Sequence, residues 1–379
     1  MTETSITFKY LDEPTMIRAG VADMASCVDT MEEALILLQS GDYRMTGASA
    51  NSHGAMISFP KSPEFDNMPQ DGPDRRFMAM PAYLGGRFHA TGTKWYGSNL
   101  ENRSLGLPRS ILLYILNDTD TGAPLAVMSA NLLSAYRTGA VPGVAVKHLA
   151  KRDSKTLGLI GPGVIGRAVT EAALSQRPSI EQIVVKGADE ADVERFKTYA
   201  STHFGDSINV VGAGTEKEVV ESSDIVSVTV TTAGSGSKDF PYIDHQWIKP
   251  GTLMLNPAAV RYDDSFLTSP DTRLVVDYWG LYEAWSEEYG AEAYEKLGII
   301  GTHFHNLVDR NEADAAKIEE IASIANGNAP GRTNDDEIIV YSAGGIPVED
   351  VAWASDVYRN AVDLGLGTDL SLWDSPELA

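Results

Sequence analysis

An α/β fold with a parallel sheet follows from three features of this 379-residue sequence. An apolar, strand-like run at residues 157–160 ends in the glycine series Gly161, Gly163 and Gly166. Beyond it, apolar runs alternate with helix-periodic segments, as parallel βαβ units require. Ahead of it, over residues 77–127, short strands are broken by turns, which reads as a separate sheet built from hairpins. Two globular parts are therefore expected, and 43% apolar content supplies cores for both.

The glycine series has a chemical reading. Gly161 allows a sharp exit from the strand, Gly163 lets backbone N–H groups approach a pyrophosphate, and Gly166 lets the following helix pack closely on the sheet. Val164 and Ile165 form the first turn of that helix, whose apolar spacing continues through Ala168 and Ala172. A strand before and a helix after are the context that a dinucleotide turn needs, so NAD or NADP is the expected cofactor; the alternative is a purely structural turn. The Rossmann alternation continues through IEQIVVKG, ADVERFKTYAST, INVVGA, SDIVSVTVTT and GTLMLNPAA. About twenty residues past the turn, where an acid usually holds the adenosine ribose, stands Gly187, preceded by Lys186. NAD and NADP both stay open, with Asp189 within reach of a ribose. Thr231 and Thr232 lie at the carboxyl end of a strand, where ligands bind in such sheets; the alternative is ordinary strand threonines.

From the start of the chain, residues 6–12 read as a strand and residues 16–40 as a helix with Val28, Met31, Ala34, Leu35 and Leu38 on one stripe. Arg44 follows a Ser-Gly-Asp turn, and the stretch to Arg76 reads as a long loop, either a lid or a surface insertion. The strands FMAMPAYL, FHATGTKWYG, SILLYILND and PLAVMSA follow, the last two joined by the hairpin turn DTDTGAP. Lys94 sits at one strand end beside Trp95 and Tyr96, either solvated there or chemically engaged. Thr138 is read as the cap of a helix with Val141, Val144, Ala145, His148 and Leu149 on its apolar face and Pro142 in its first turn. That cap puts Arg137 at a helix N-terminus, suited to a substrate carboxylate or cofactor phosphate; the alternative is a surface arginine. His148 reads as a core histidine.

Charge narrows the function. With 30 basic and 53 acidic residues the net charge is −23, which repels nucleic acid and anionic lipid. The single Cys27 cannot form an intrachain disulfide, MTETSITFKY lacks the features of a signal peptide, and no apolar stretch approaches membrane-spanning length. A cytoplasmic protein with no nucleic-acid or membrane partner is expected. His303 and His305 in GTHFHN read as one strand face without a third ligand, so no metal is expected. The GSGS at residues 234–237 reads as a loop without a nucleophile context. Residues 277–298 read as an aromatic, acidic helix in which Tyr278, Trp279 and Trp285 either pack or line a pocket.

MSANLLSAYRTGAV, the glycine turn, WIKPGTLMLNPAA and APGRTNDDEIIVYSAGGIPVEDVAWASDVY together resemble the ornithine cyclodeaminase and mu-crystallin family, over residues 44–358. That family also holds alanine dehydrogenases and ketimine or imino-acid reductases. The resemblance implies a Rossmann domain, residues 131–334, inserted in a mixed α+β substrate-binding and dimerisation domain of residues 1–130 plus 335–379, and a homodimer. It implies that Arg44, Lys94 and Arg137 hold the carboxylate of a small amino or imino acid near the nicotinamide, with Thr138 and Asn256 on the cofactor side. Three cations in so acidic a protein would concentrate an anionic substrate.

The reaction implied is hydride transfer between an amino-acid α-carbon and the nicotinamide, through an imine. In cyclodeaminases a side-chain amine then attacks the imine, assisted by an aspartate after an Asn-Ala-Val-Gly run. Here the region reads LNPAAVRYDDSFL: Asn256 matches, but Arg261 stands at the aspartate position, with Asp263 and Asp264 just beyond. An arginine cannot accept a proton, so the general base of cyclisation is missing unless one of these aspartates moves into place. The expectation is an NAD(P)-dependent amino-acid dehydrogenase or imine reductase, with Lys94 as proton donor and Asp264, then Asp263, as further catalytic candidates. Either aspartate alternatively caps the next helix. Deaminating cyclisation with recycled NAD and a noncatalytic NADP(H)-binding protein are the other readings.

Overall fold

The computed structural model describes residues 4–232 and 236–378, so Gly234 and Ser235 of the GSGS turn lie outside the described residues. The chain opens with β1 (Ile6–Leu11), α1 (Glu13–Arg18) and α2 (Met24–Ser40). Asp12 caps α1 by accepting from Thr15 N–H at 2.9 Å, and the single helix expected over residues 16–40 is interrupted around Gly20. Next come β2 (Tyr43–Met45), β3 (Ala55–Ser58), β4 (Arg76–Leu84), β5 (Ala90–Ser98), β6 (Ser110–Asp118) and β7 (Pro124–Ser129). Helix α3 (Asn131–Leu149) leads to β8 (Thr156–Ile160), α4 (Val164–Gln176), β9 (Gln182–Lys186), α5 (Glu190–Phe204), β10 (Asn209–Gly212), α6 (Glu216–Ser222), β11 (Ile225–Val228) and β12 (Leu253–Asn256). Then follow α7 (Asp264–Leu267), β13 (Thr272–Val276), α8 (Trp279–Tyr289), α9 (Ala293–Leu297), α10 (Ile300–Asp309), β14 (Ile318–Glu320) and α11 (Ile321–Ala325). The last elements are β15 (Ile338–Ser342), α12 (Pro347–Asp363) and β16 (Thr368–Trp373).

The chain divides into two compact units. The first comprises residues 1–23, 40–137 and 346–379, the second residues 24–39 and 138–345. The expected divisions at 130/131 and 334/335 thus move to 137/138 and 345/346, because β15 is a strand of the second unit's sheet.

The first unit's sheet runs β16-β1-β7-β6-β5-β4-β2, with β3 on β4. Only β1 and β7 pair in parallel; the other ladders are antiparallel. Period-two alternation turns Met78, Met80, Ala82 and Leu84 of β4 inward, and Gly92, Lys94 and Tyr96 of β5 likewise, under α12. Lys94 is therefore mid-strand and buried, not at a solvated strand end.

The second unit is a parallel sheet in the order β10-β9-β8-β11-β12-β15-β13-β14. Its first five strands reverse direction of winding between β8 and β11, the point outside whose carboxyl ends a dinucleotide binds. Two helical readings change. Helix α3 begins at Asn131, so Thr138 is not its cap and Arg137 lies in its second turn. Pro142 is inside this helix, and Gly139 and Gly143 leave room only for close packing, a Cβ at each falling 2.5 Å from Ala168 and 2.7 Å from Val28. GTHFHN is helix α10, not a strand: Ile300, Phe304 and Leu307 are buried at helical spacing. No described helix is long and apolar enough to cross a membrane.

Candidate active site

The first unit gathers four charges in its interior. Lys94 Nζ donates to Asp350 Oδ2 at 2.9 Å and Oδ1 at 3.1 Å, and to Ser134 Oγ at 3.3 Å. Arg137 Nε donates to the same Asp350 Oδ1 at 3.0 Å, and its Nη1 to Glu349 Oε2 at 2.7 Å. Lys94 is 2% exposed, Arg137 4%, and both acids are fully buried. Ser134 and Arg137 share a face of α3 by i, i+3 spacing. Glu349 and Asp350 occupy the first turn of α12, which Pro347 starts and where the helix dipole favours anions.

Burial, then repulsion by Arg137, lowers the Lys94 ammonium to about 8 against the pull of Asp350. Burial also works against the Arg137 charge, but Asp350 and Glu349 outweigh it and the guanidinium is held more firmly protonated than usual. A lysine poised near 8 inside a neutralised network is suited to exchanging a proton. Tyr114, the cross-strand partner of Lys94, is fully buried, and burial and Asp350 hold its phenol neutral. His53, between β2 and β3, is pushed down to about 3 by desolvation and by Lys94, Arg137 and Arg76, so its imidazole stays neutral.

Arg44 does not join this network. It sits exposed in the middle of β2, and its Nη1 donates to the Tyr43 and Gly41 carbonyls at 2.5 and 3.3 Å. Glu349, Asp350, Tyr114 and His53 were not legible as site residues. The usable signal was two acids in the first turn of an otherwise apolar helix, in GIPVEDVAWA.

The second unit supplies the glycine turn. Gly161 has φ +93°, and a Cβ there would lie 2.9 Å from the Thr229 carbonyl carbon. A Cβ on Gly166 would lie 2.4 Å from Gly161 O, so α4 can approach β8 only with glycine. Gly163 precedes α4 with no side-chain cap, and a Cβ there would meet nothing within 4 Å. The start of α4 is thus uncapped and open at Gly163, beside exposed Val164 and half-buried Ile165, which fits a dinucleotide pyrophosphate. Thr229, another residue not foreseen, fixes the turn by donating from Oγ1 to Gly161 O at 2.6 Å.

At the end of β9, Lys186 Nζ donates to Gly187 O at 2.7 Å and lies 4.0 Å from Glu216, while Asp189 caps α5 through Asp192 N–H at 2.8 Å. Thr231 is exposed and Thr232 half-buried beyond the end of β11, and Thr138 is half-buried within α3. Asn256 turns inward: it donates to Tyr341 O at 3.0 Å and accepts from Tyr262 Oη at 2.8 Å, joining β12 to β15.

Beyond β12, Asp263 accepts from Tyr242 Oη at 2.7 Å, and Arg261 stacks on the same tyrosine, 4.8 Å from its centroid. Asp264 Oδ1 pairs with His303 Nε2 at 2.6 Å and Oδ2 accepts from Arg310 at 2.7 Å. His148 is not a core histidine but a half-buried partner of Glu32 at 2.7 Å. Among the described residues no three ligating side chains gather around a metal-sized space. An open cavity of about 1400 Å³, lined by Leu274, Lys317 and Ile338 among others, lies at the amino ends of β13, β14 and β15, the sheet edge opposite the glycine turn, and none of its lining residues belongs to either group.

With this geometry, the sequence pattern of the ornithine cyclodeaminase/mu-crystallin family matches residues 20–365. The chain belongs to this family. It is 30% identical over 366 residues to N-((2S)-2-amino-2-carboxyethyl)-L-glutamate dehydrogenase of Staphylococcus aureus, spanning 96% of this chain and 98% of that protein. It is also 30% identical over 302 residues to an alanine dehydrogenase of Archaeoglobus fulgidus, spanning 78% and 83%. Among solved structures, the Delta(1)-pyrroline-2-carboxylate reductase of Thermococcus litoralis, in complex with NADH and L-proline, superposes with a TM-score of 0.75 at 26% identity, covering 96% of this chain and 100% of that one.

Proposed function

We propose that this chain oxidises the secondary amine of an N-substituted, multiply carboxylated amino acid of the N-((2S)-2-amino-2-carboxyethyl)-L-glutamate type. The chain is an NAD(P)-dependent oxidoreductase acting by hydride transfer at the α-carbon of an amino or imino acid. The observation that carries the finer reading is the buried Lys94–Asp350–Arg137–Glu349 network in a chain that aligns end to end with a dehydrogenase of that substrate.

In this reading Arg137, with Arg44, fixes a substrate carboxylate by charge-assisted bonds, and Lys94 takes the proton of the substrate ammonium. Gly161, Gly163, Val164, Ile165, Gly166, Thr138, Lys186, Gly187, Thr231, Thr232 and Asn256 form or support the dinucleotide site. When bound there, the nicotinamide accepts the α-hydride. The resulting substrate imine takes up water, and its C–N bond breaks to give a 2-oxo acid and a primary amine, so that substrate, NAD⁺ and water become 2-oxoglutarate, 2,3-diaminopropionate, NADH and a proton. Asp264 with His303, and Asp263 after them, supply acid–base capacity for the hydration. The acids Asp189, Asp192 and Glu216 around Lys186 favour NAD over NADP, whose extra phosphate they would repel.

The outer face of the first sheet supports a homodimer. Ile57, Phe77, Trp95, Ile111 and Leu113 are exposed on one side of adjacent strands, Phe77 and Trp95 stacked at 5.9 Å, a contiguous apolar face that a second copy would cover. The test of function is reduced-nicotinamide absorbance with N-((2S)-2-amino-2-carboxyethyl)-L-glutamate, L-alanine, L-proline and L-ornithine. Turnover confined to the first is expected. Preferential oxidation of alanine or proline, or ammonia release from ornithine without net reduction, overturns the substrate reading.

A further inference from the structure

A second cationic cluster lies on the same face of the first unit's sheet as Lys94. The alternation that turns Met78 and Met80 inward places Arg76, the first residue of β4, on that face too. Its cross-strand partner is Ser98 of β5, and Ser98 in turn faces Ser110 of β6. From Lys94 to Ser98 the backbone of β5 advances roughly 13 Å, at about 3.3 Å per residue. Met78 and Tyr96 stand opposite one another between the two ends, with the Lys94 ammonium 5.8 Å from the Tyr96 centroid.

Two arginines of this cluster share one carboxylate. Arg76 Nη1 lies 2.7 Å from Asp74 Oδ1 and Arg109 Nη1 lies 3.2 Å from Asp74 Oδ2, so the group keeps a net positive charge. Among the described residues the buried Nε of Arg76 has no acceptor, and an anion bound there would satisfy it. Ser98, 4% exposed, and Ser110 are joined through their hydroxyls, a bond that uses one of the two protons and leaves the other to donate. His53 feels both ends: Lys94, Arg137 and Arg76 all act on its imidazole, and the neutral ring adds no charge of its own.

We propose that Arg76, with Arg109 and the Ser98–Ser110 hydroxyls, is a second carboxylate subsite, which takes a far carboxylate of the substrate whose first carboxylate Arg137 and Lys94 hold. This rests on the proposed function, with Lys94 and Arg137 as the cations of the substrate site, and deepens it. A multiply carboxylated substrate needs two anion holds on one face, and its chain spans the Met78–Tyr96 row between them. A guanidinium with an unused N–H recognises a carboxylate by direction as well as by charge. A simple α-amino acid reaches only the first hold, so the second sets specificity and takes no part in the hydride step.

The test sets Arg76→Met against Asp74→Asn, because the pair separates a substrate contact from a structural ion pair. In Arg76→Met the loss of a charge-assisted bond should raise the KM for N-((2S)-2-amino-2-carboxyethyl)-L-glutamate roughly 10- to 100-fold and leave kcat within about threefold, the pattern of lost uniform binding. Asp74→Asn removes the carboxylate that competes with the substrate, so there the KM should hold or fall. A KM unmoved in Arg76→Met, or raised alike in both variants, overturns the proposal. If Arg76→Met does not fold, Arg109→Met serves: its KM should rise roughly threefold to tenfold, and an unmoved KM overturns the proposal. Calorimetry on the NADH-loaded protein, whose reduced cofactor cannot accept a hydride, reads affinity for the same compound without turnover. Binding that weakens in Arg76→Met, beside a wild type that does not oxidise the compound, keeps the subsite and sinks the proposed reaction. Turnover with an unmoved KM removes the subsite alone, and a wild type that neither binds nor oxidises the compound overturns both.

Discussion

Asp350→Asn removes the charge that Lys94 and Arg137 share. The carboxylate receives Lys94 at 2.9 and 3.1 Å and Arg137 at 3.0 Å, so its charge is the main counterweight to desolvation of the lysine. At 2.9 Å and an effective dielectric of about 20, that attraction is worth ~6 kcal/mol, about four pH units. This is a ceiling, because Arg137 shares the carboxylate and water enters when the pair is broken; a fall of about one to two units is expected. Asparagine keeps the shape, and Arg137 continues to repel the lysine, so the change has one direction. The Lys94 limb should move from about 8 to about 6 or 7, and the folded state should lose roughly 3–5 kcal/mol for an uncompensated buried charge. The assay is formation of reduced nicotinamide across pH 5.5–9.5 at saturating cofactor, with denaturant unfolding as the control. In the oxidative direction the neutral amine is the working form, so the rising limb moves to lower pH. A limb that stays near 8, or moves up, would refute Lys94 as the titrating base.

Further outcomes follow from the same geometry. Gly163→Ala should leave the unfolding midpoint unchanged, since its Cβ meets nothing, but weaken NADH binding roughly tenfold by crowding the pyrophosphate, read by fluorescence titration. Gly166→Ala should lower both, because its Cβ would sit 2.4 Å from Gly161 O. Asp277 has a raised folded pKa, so its contribution to stability is fully present below the unfolded value near 4 and is lost as pH rises through about 6. Wild type should therefore gain about 3 kcal/mol relative to Asp277→Asn between pH 7.5 and 4 in denaturant melts, and an equal pH dependence would contradict the buried carboxylate. Trp95→Glu combined with Leu113→Glu should yield a monomer by sedimentation if the apolar sheet face is the dimer contact; a persisting dimer would place the contact elsewhere.

The glycine turn was legible because Gly161 and Gly166 each answer a separate steric demand of the chain, and strand and helix flank the series in order. Lys94 and Arg137 were legible through the family resemblance. Their partners were not: nothing local marks Glu349 and Asp350 as facing cations more than 200 residues earlier, a pairing that only the packing of α12 under β4 and β5 creates. Lys94 reads as a strand end because FHATGTKWYG stops at Gly97, whereas β5 runs from Ala90 to Ser98 with Lys94 at its centre. Thr138 reads as a cap because a proline such as Pro142 belongs near a first turn, but the helix begins at Asn131 and tolerates the proline inside. GTHFHN by itself is too short to show a helical period, which is visible only when Ile300 and Leu307 are included. The aspartates after Asn256 read as catalytic candidates or helix caps, and their fixation by Tyr242, His303 and Arg310 depends on three distant segments.

The most direct measurement is product analysis of purified protein with NAD⁺ and N-((2S)-2-amino-2-carboxyethyl)-L-glutamate, following reduced nicotinamide and the amine and oxo-acid products together. One NADH, one 2-oxoglutarate and one 2,3-diaminopropionate are expected per substrate consumed, all abolished by Lys94→Met while NADH still binds. No oxidation of this substrate alongside robust oxidation of a simple α-amino acid, or unchanged turnover in Lys94→Met, would contradict it.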